Sequence, residues 1–288
     1  MLWFVNQVAD AVKEEFPNEF IGTFAYQYTR KPPKYIRPAD NVLVVLCSIE
    51  CDFSHPFSHP HNKSFMDDLK KWSQITSNIF IWDYVVNYRH YLLPHPNFGV
   101  LKENIQIFKD YNVTGILEQA QYQSHNGEFA ELRAYVLGKL LWNPELDTDK
   151  LVEEFITGYY GSSAPYIKQY FDLVQDLVTP DSYLTYATKL DDPIFTKSFF
   201  TQARVILSKA DEAADNQEIR DRVEMVQLGV IYENLISDYQ QAVKDGLLDK
   251  FKKVVERTGD FQSSEGMKAS KGIILLKEKF GQEQENSN

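Results

Sequence analysis

Two hydrophobic patterns alternate along the first half of the chain. Short apolar segments such as NVLVVLCSI are typical of strands that are buried on both faces of a parallel sheet. Longer segments between them repeat apolar residues at helical spacing. The alternation predicts parallel strands that are joined by helical crossovers. We expect four such strands, near residues 20–28, 42–48, 78–83 and 113–118.

The pattern becomes helical throughout after about Pro144. Two helices are expected before Pro180, and a connector rich in Tyr and Asp follows them. Long helical patterns then cover roughly residues 194–215, 217–244, 247–258 and 264–280. The sequence therefore predicts an α/β domain over residues 1–180 and an α-helical domain over residues 181–288.

Composition and charge exclude some classes of function. The 288 residues carry a formal net charge of -11, whereas nucleic-acid-binding domains usually present a basic surface. No apolar run approaches the roughly 20 residues of a membrane-spanning helix. The first sixteen residues have no basic region, and they place Phe4, Val8, Val12 and Phe16 on one side of an amphipathic helix. We therefore expect no nucleic-acid partner, no membrane span and no signal peptide in this chain.

The two cysteines, Cys47 and Cys51, lie close together in the sequence. Such a pair could form a disulfide or stay reduced, and zinc ligation with His55, His59 or His61 is a further alternative. A structural zinc site usually has a closer pair of cysteines and a second pair of ligands. We therefore interpret the cysteines as two semi-buried thiols, and we expect no metal and no cofactor.

Polar and aromatic residues gather where each predicted strand ends. In parallel α/β proteins, ligands bind beyond the carboxyl ends of the strands. Aromatic rings stack on the C–H faces of sugars, and amides and acids bind the hydroxyl groups. All six histidines lie in the loops after these strands. The candidate substrate-binding residues are Tyr26, Glu50, Asp52, Trp82, Tyr84, Asn87, His90, Tyr122 and His125.

Asp83 and Glu118 are the candidate catalytic residues, because each follows an apolar strand directly. Glycoside hydrolysis uses two carboxyl groups, one to protonate the leaving oxygen and one to attack or to activate water. In that role the two carboxyls should lie about 5–10 Å apart. The alternative role of Asp83 is to accept hydrogen bonds from backbone amides at the strand end.

Several segments together carry a resemblance to one family. They are FVNQVADAVKEEFP, TFAYQYTRKPP, LCSIECDFSHP, FMDDLKKWSQI, IWDYVVNYRHYLLPHPN, GILEQAQYQSHNGEFAELRAYVLGKLLWNP and EEFITGYYG. On these motifs, residues 3–180 resemble the DUF4838 family, which is remotely related to α-glucuronidases and to hexosaminidase-type glycoside hydrolases. The resemblance implies polysaccharide processing in a periplasmic or secreted setting.

The resemblance also implies a (β/α)8 (TIM) barrel. A closed barrel needs eight strands, so residues 1–180 are expected to form the C-terminal half of a glycoside-hydrolase-like barrel with four parallel strands. Family members usually have further sequence before the first helix of this chain. Four strands cut from a barrel leave two unpaired edges and an inner face without its partner. We expect the helices of the chain itself, a second copy in a homodimer, or an N-terminal barrel segment to cover these surfaces.

Three functions are compatible with the sequence. The favoured interpretation is a carbohydrate-active protein, either a glycoside hydrolase or the C-terminal part of one that acts on a complex polysaccharide. The alternatives are a non-catalytic carbohydrate-binding module and a helical protein-interaction domain. The partner expected in the first two cases is an oligo- or polysaccharide.

Overall fold

A computed structural model of the protein describes residues 1–123 and 127–281. Its main sheet has four parallel strands in the order β1-β2-β3-β4. The strands are β1 Ile21–Ala25, β2 Val42–Cys47, β3 Ile79–Tyr84 and β4 Gly115–Gln119. Each strand lies within its predicted range or extends one residue beyond it, so the predicted parallel α/β arrangement is confirmed. The sheet is open, with β1 and β4 as its edges in the described part of the chain.

Three helices cover one face of this sheet. They are α1 Leu2–Glu15, α2 Lys63–Ser73 and α3 Phe98–Asp110. Every second strand residue packs under them in one hydrophobic cluster, because successive side chains of a strand point to opposite faces. We call this side the helix-covered face, and its buried strand residues include Val44, Leu46, Ile79 and Ile81.

The opposite side of the sheet is called the open face below. Register partners on neighbouring strands point to the same side, so its residues form continuous rows. Most of these residues are half-buried or exposed, although Cys47 is buried, and Tyr84 at the end of β3 packs against the cluster of the helix-covered face. The residues of the open face include Phe24, Val45, Phe80, Trp82 and Leu117. Gly115 lets the Phe80 ring cross the edge strand, since a Cβ there would lie 2.6 Å from the ring.

The side of α1 that packs on the sheet differs from the predicted apolar side. Phe4 is 64% exposed and Phe16 is 57% exposed, whereas Leu2 and Ala9 are buried. The small Ala9 side chain allows α1 to approach the sheet closely, and the Asn41 amide donates to the Ala9 carbonyl oxygen at 2.8 Å. The amphipathic helix is confirmed, but Phe4 and Phe16 of its predicted apolar side face outward.

The second half is mainly helical, as predicted. Its helices are α4 Ala130–Trp142, α5 Thr148–Tyr160, α6 Ala164–Gln175, α7 Lys197–Ala213, α8 Gln217–Ser237, α9 Tyr239–Lys244, α10 Leu247–Thr258 and α11 Ala269–Gly281. One predicted helix is divided into α8 and α9 at Asp238, whose side chain accepts a hydrogen bond from the Gln241 N–H at 3.1 Å. None of the described helices is long and apolar enough to cross a lipid bilayer.

A small antiparallel hairpin interrupts this helical half. It consists of β5 Gln262–Ser264 and β6 Met267–Lys268. Gly266 has a φ of +72°, which a glycine adopts without steric cost, and it allows the tight turn between the two strands. The prediction that strands end after Pro144 is therefore wrong at this hairpin, and the last helix begins at Ala269 rather than near residue 264.

One hydrophobic cluster extends across the predicted domain boundary at residue 180. It joins Ile156 of α5 and Tyr170 of α6 to Phe199 of α7 and Val223 of α8. Helices on both sides of the boundary therefore share a core. The division into domains 1–180 and 181–288 stays a prediction.

Candidate functional site

Asp83 and Glu118 form a carboxyl pair at the carboxyl ends of β3 and β4. They are register partners, and their side chains share a hydrogen bond. Two carboxyls can share a hydrogen bond only when one of them is protonated. Burial raises the pKa of Asp83 to about 6. Burial and the charge of Asp83 raise the pKa of Glu118 well above its ordinary value, which favours the protonated form of Glu118.

The pair lies on the helix-covered face, since Asp83 alternates with Ile79 and Ile81 along β3. Asp83 is 4% exposed. Glu118 is half-exposed as a residue, but its Oε2 atom is buried and has no hydrogen-bond partner in the described part of the chain. The expected separation of about 5–10 Å is contradicted, because no sugar fits between two carboxyls that are in direct contact.

Asp83 also accepts hydrogen bonds at its strand end. The Ser48 hydroxyl donates to Asp83 Oδ1, and the Tyr84 backbone N–H donates to the same oxygen at 2.8 Å. Both bonds favour the ionised form of Asp83. The alternative role that the sequence suggested, an acceptor for a backbone amide, is therefore present together with the carboxyl pair.

Aromatic residues lie near the strand ends on the open face. The ring centroids of Phe24 and Trp82 are 5.5 Å apart, and Phe24 is 52% exposed. Trp82 Nε1 donates to Gln119 Oε1 at 2.6 Å, which fixes the indole ring. Tyr26 and Tyr84 lie near each other at the same end of the sheet. Three of the predicted aromatic residues, Tyr26, Trp82 and Tyr84, thus lie at one end of the sheet, but Trp82 and Tyr84 lie across the sheet from the carboxyl pair.

Asp52 lies in the loop after β2, and it is fully buried. Its Oδ1 accepts hydrogen bonds from Ser54 N at 2.9 Å, Ser54 Oγ at 2.5 Å and Leu184 N at 3.0 Å. Its Oδ2 lies 2.7 Å from His55 Nδ1 and 2.9 Å from His61 Nδ1. Burial opposes the charge, but the bonds from Ser54, His61 and His55 outweigh it and lower the pKa of Asp52. Asp52 is therefore an ionised group that orients its neighbours, with no surface for direct contact with a substrate.

The loop after β3 connects the sheet to the helical half. The Asn87 amide donates to the Thr188 carbonyl oxygen at 2.8 Å, and His90 Nδ1 lies 2.9 Å from the Tyr232 hydroxyl. Burial lowers the pKa of His90 to about 4, so its ring is neutral near pH 7. Asn87 and His90, predicted as substrate-binding residues, hold the loop against the helices in this structure.

The remaining predicted site residues are scattered. Glu50 forms an ion pair with the buried Arg30, with Oε2 and Nη1 2.9 Å apart. Tyr122 is 72% exposed. His125 lies outside the described residues.

A polar cavity of about 80 Å³ lies beyond β4 and contains residues that the sequence did not single out. Its lining includes Tyr91, His95, Glu128 and Arg133. The Tyr91 hydroxyl, both His95 ring nitrogens and Glu128 Oε1 are buried without hydrogen-bond partners among the described residues. Such atoms usually bind ordered water or a polar ligand. The ion pair of Glu128 with Arg133 could not be predicted, because it depends on how the loop before α4 folds.

Both cysteines are buried and free. Burial raises the pKa of the Cys47 thiol to about 11, and it raises that of Cys51 well above its ordinary value. The interpretation as reduced thiols is confirmed, although both are more deeply buried than expected. The histidines of the same loop gather around Asp52 rather than around the cysteines.

The fold defines the class of this protein as a parallel α/β protein with an open four-stranded sheet and a helical second half. The family model described as a domain of unknown function (DUF4838) matches residues 1–172. This match covers more than half of the 288 residues, and the chain belongs to the DUF4838 family. The comparison with curated proteins finds no match.

Proposed function

We propose that the chain is a carbohydrate-active protein, whose oligo- or polysaccharide ligand lies across the open face at the carboxyl ends of the strands. The observation that carries the proposal is the Phe24–Trp82 pair, whose indole is fixed by Gln119. Flat, partly exposed aromatic rings stack on sugars, and a neighbouring amide binds hydroxyl groups. Tyr26 and Tyr84 extend the same surface.

The open face also supports the barrel proposal. The four strands follow one another in chain order, and helices cover only one side, as in half of a (β/α)8 barrel. Val45, Phe80 and Leu117 are apolar residues on the uncovered side, where a barrel would bury them. In this proposal the open face is the inner face of a barrel that a further segment or a second copy completes.

Hydrolysis of a glycosidic bond is the second candidate function, and the raised pKa of Glu118 favours it, because a general acid must hold its proton before transfer. This reaction requires the sugar to reach the strand ends on the helix-covered side rather than on the open face. There Glu118 gives its proton to the glycosidic oxygen, the bond from that oxygen to the anomeric carbon breaks, and a water molecule adds to the anomeric carbon. Asp83 remains as the hydrogen-bond partner that keeps the proton on Glu118 before transfer. The group that attacks the sugar or activates water lies outside this pair, because the two carboxyls are in direct contact.

A glycan-binding assay tests the first proposal. The wild-type protein should bind at least one class of polysaccharide, and Trp82→Ala should weaken binding roughly tenfold, or about 1.4 kcal/mol. Tyr28→Ala is the matched control, since Tyr28 is a 92% exposed aromatic residue outside the Phe24–Trp82 pair. Equal loss in both variants, or no binding of any glycan by the wild-type protein, would argue against the open face as a sugar site.

Release of reducing sugar from the bound glycan tests the second proposal. Glu118→Gln keeps the shape of the protonated acid but cannot transfer a proton, so turnover should disappear while binding stays nearly unchanged. Equal turnover in wild type and Glu118→Gln would remove Glu118 from the reaction. Binding without any turnover in the wild-type protein would support carbohydrate binding and argue against hydrolysis.

A further inference from the structure

Four potential metal ligands lie together in the loop between β2 and α2. They are Asp52, His55, His59 and His61, and one ligand atom from each lies within 4.8 Å of the other three. We propose that these four residues bind one divalent transition-metal cation, of which Zn²⁺ is the representative. This site is separate from the open face and does not depend on the carbohydrate proposal.

The ligand atoms already converge. Asp52 Oδ2 lies 2.7 Å from His55 Nδ1 and 2.9 Å from His61 Nδ1. The His59 ring is stacked on His55 with centroids 4.1 Å apart, and its centroid lies 4.5 Å from that of His61. In a tetrahedral zinc site with bonds of about 2.0–2.1 Å, neighbouring ligand atoms are about 3.3 Å apart. Small rotations of the rings are therefore enough to close the four residues around a cation.

Hydrogen bonds from the Asn62 side chain stabilise the backbone of this loop. Its Oδ1 accepts a hydrogen bond from the Asp52 N–H at 2.8 Å. Its amide nitrogen donates to the carbonyl oxygens of Asp52 at 2.9 Å, His55 at 3.1 Å and Pro56 at 3.1 Å. Asn62 is buried, so it fixes the backbone of the loop that carries the ligands. A fixed backbone reduces the ordering cost of binding a cation.

The types of ligand indicate the class of metal. Three imidazoles and one carboxylate suit Zn²⁺ and its first-row neighbours, whereas Ca²⁺ and Mg²⁺ prefer sites built from oxygen ligands. The N–H groups of Ser54 and Leu184 donate hydrogen bonds to Asp52 Oδ1 and fix the carboxylate, while Oδ2 faces the histidines. Asp52 is therefore a fixed ligand, and the histidines are the part of the site that adjusts.

One side of the cluster is open to solvent. The His61 side chain is 35% exposed, and its ring lies 5.4 Å from that of Tyr183, which is itself partly exposed. A cation can therefore enter the site from this side. With four protein ligands, the site resembles closed structural zinc sites rather than catalytic sites, which keep one position open.

Zinc titration of the full chain tests the proposal. The protein, freed of any histidine tag and stripped with a chelator, is titrated with Zn²⁺ in competition with a chromophoric chelator. We expect one Zn²⁺ per chain. His59→Ala and His61→Ala should each weaken binding at least about tenfold. Asp67→Ala is the matched control, since the Asp67 carboxylate on the adjoining helix α2 is solvent-accessible and pairs with Lys63. The Zn²⁺ affinity of this variant should equal that of the wild-type protein.

Two further measurements decide the result. Binding should weaken as the solution is acidified, because protonated imidazoles cannot bind a metal. Substitution with Co²⁺ should give the intense visible bands of a four-coordinate site. Absence of stoichiometric binding, or an unchanged affinity in the His59→Ala/His61→Ala double variant with a wild-type circular dichroism spectrum, would overturn the proposal.

Discussion

Asp52 and Asp83 are both buried aspartates at the carboxyl ends of the strands, yet their surroundings shift their pKa values in opposite directions. Asp52 has two backbone N–H donors, one hydroxyl and two imidazoles around it, and its pKa is lowered. Asp83 has one hydroxyl, one backbone N–H and a second carboxyl, and its pKa is raised. Burial alone therefore does not determine charge, because the number and kind of hydrogen-bond donors decide it.

The difference separates two chemical roles. A fixed, ionised carboxylate suits the binding of cations or the orientation of histidines. A carboxyl that shares a proton with a neighbour suits proton transfer near neutral pH. Both aspartates lie at the carboxyl-terminal end of the sheet. The charges of Asp83 and Asp52 also contribute to the raised pKa of the Cys51 thiol.

Removal of Asp52 should have the largest effect on stability. Asp52→Ala leaves buried backbone N–H groups of Ser54 and Leu184 without their acceptor, and it removes one of the hydrogen bonds that join the loop to Leu184. We expect the free energy of unfolding in urea to fall by roughly 3–5 kcal/mol. Asp67→Ala, at an exposed position, should change it by less than about 0.5 kcal/mol. A loss below about 1 kcal/mol for Asp52→Ala would show that the buried network contributes little.

The carboxyl pair should make stability depend on pH in the direction opposite to Asp52. An acid whose pKa is raised on folding binds more protons in the folded state, so it contributes stability at low pH and loses it as the pH rises. For Asp83, with a folded pKa of about 6 against about 3.9 in unfolded chains, the loss begins near pH 4. The raised pKa of Glu118 extends the loss to higher pH. Asp52, with its lowered pKa, loses its contribution only as the solution becomes more acidic than about pH 4.

The variant Glu118→Gln isolates this effect. It removes one ionisable group from the pair, so the decline in stability from about pH 4 to pH 8 should become shallower by roughly 1–2 kcal/mol. Urea denaturation at a series of pH values measures it. Glu103→Gln, at an exposed carboxylate, serves as the control and should reproduce the wild-type slope. Parallel curves for wild type and Glu118→Gln would mean that the pair does not hold an extra proton.

The strands could be predicted from the sequence, but the two faces of the sheet could not. The apolar runs located all four strands, because continuous apolar patterns mark parallel strands. A strand that is apolar on both faces does not indicate which face the helices cover. The sequence therefore grouped Trp82 and Tyr84 with Asp83, and only the sheet register separates the aromatic residues from the carboxyl pair.

The residues of the candidate site could be predicted from the sequence, but their contacts could not. Asp83 and Glu118 were expected in one cleft, and their contact follows from a register that no local pattern specifies. The clustering of histidines in loops was visible in the sequence, but their convergence on Asp52 depends on the loop path set by Asn62. The His95–Glu128–Arg133 cavity was missed because its residues come from different loops and from α4.

Ser48→Ala should have a smaller effect than either change above. The Ser48 hydroxyl is one of three groups that donate to Asp83 in the described part of the chain, beside the Tyr84 N–H and the Glu118 carboxyl. Its loss should cost about 1–2 kcal/mol near pH 7. It should also raise the pKa of Asp83 further, which a carbon-detected NMR titration of the carboxyl can measure. An unchanged pKa would mean that the hydroxyl does not stabilise the ionised form.

Ser54→Ala should have the smallest effect, although Ser54 Oγ lies only 2.5 Å from Asp52. Asp52 keeps the N–H donors of Ser54 and Leu184 and both histidines after the substitution. With four donors left, the carboxylate stays ionised, and we expect a loss below about 1 kcal/mol. The two serine variants therefore test the comparison directly, since each removes one hydroxyl from a buried aspartate. A larger loss for Ser54→Ala than for Ser48→Ala in the same urea experiment would contradict the view that the number of remaining donors controls the charge.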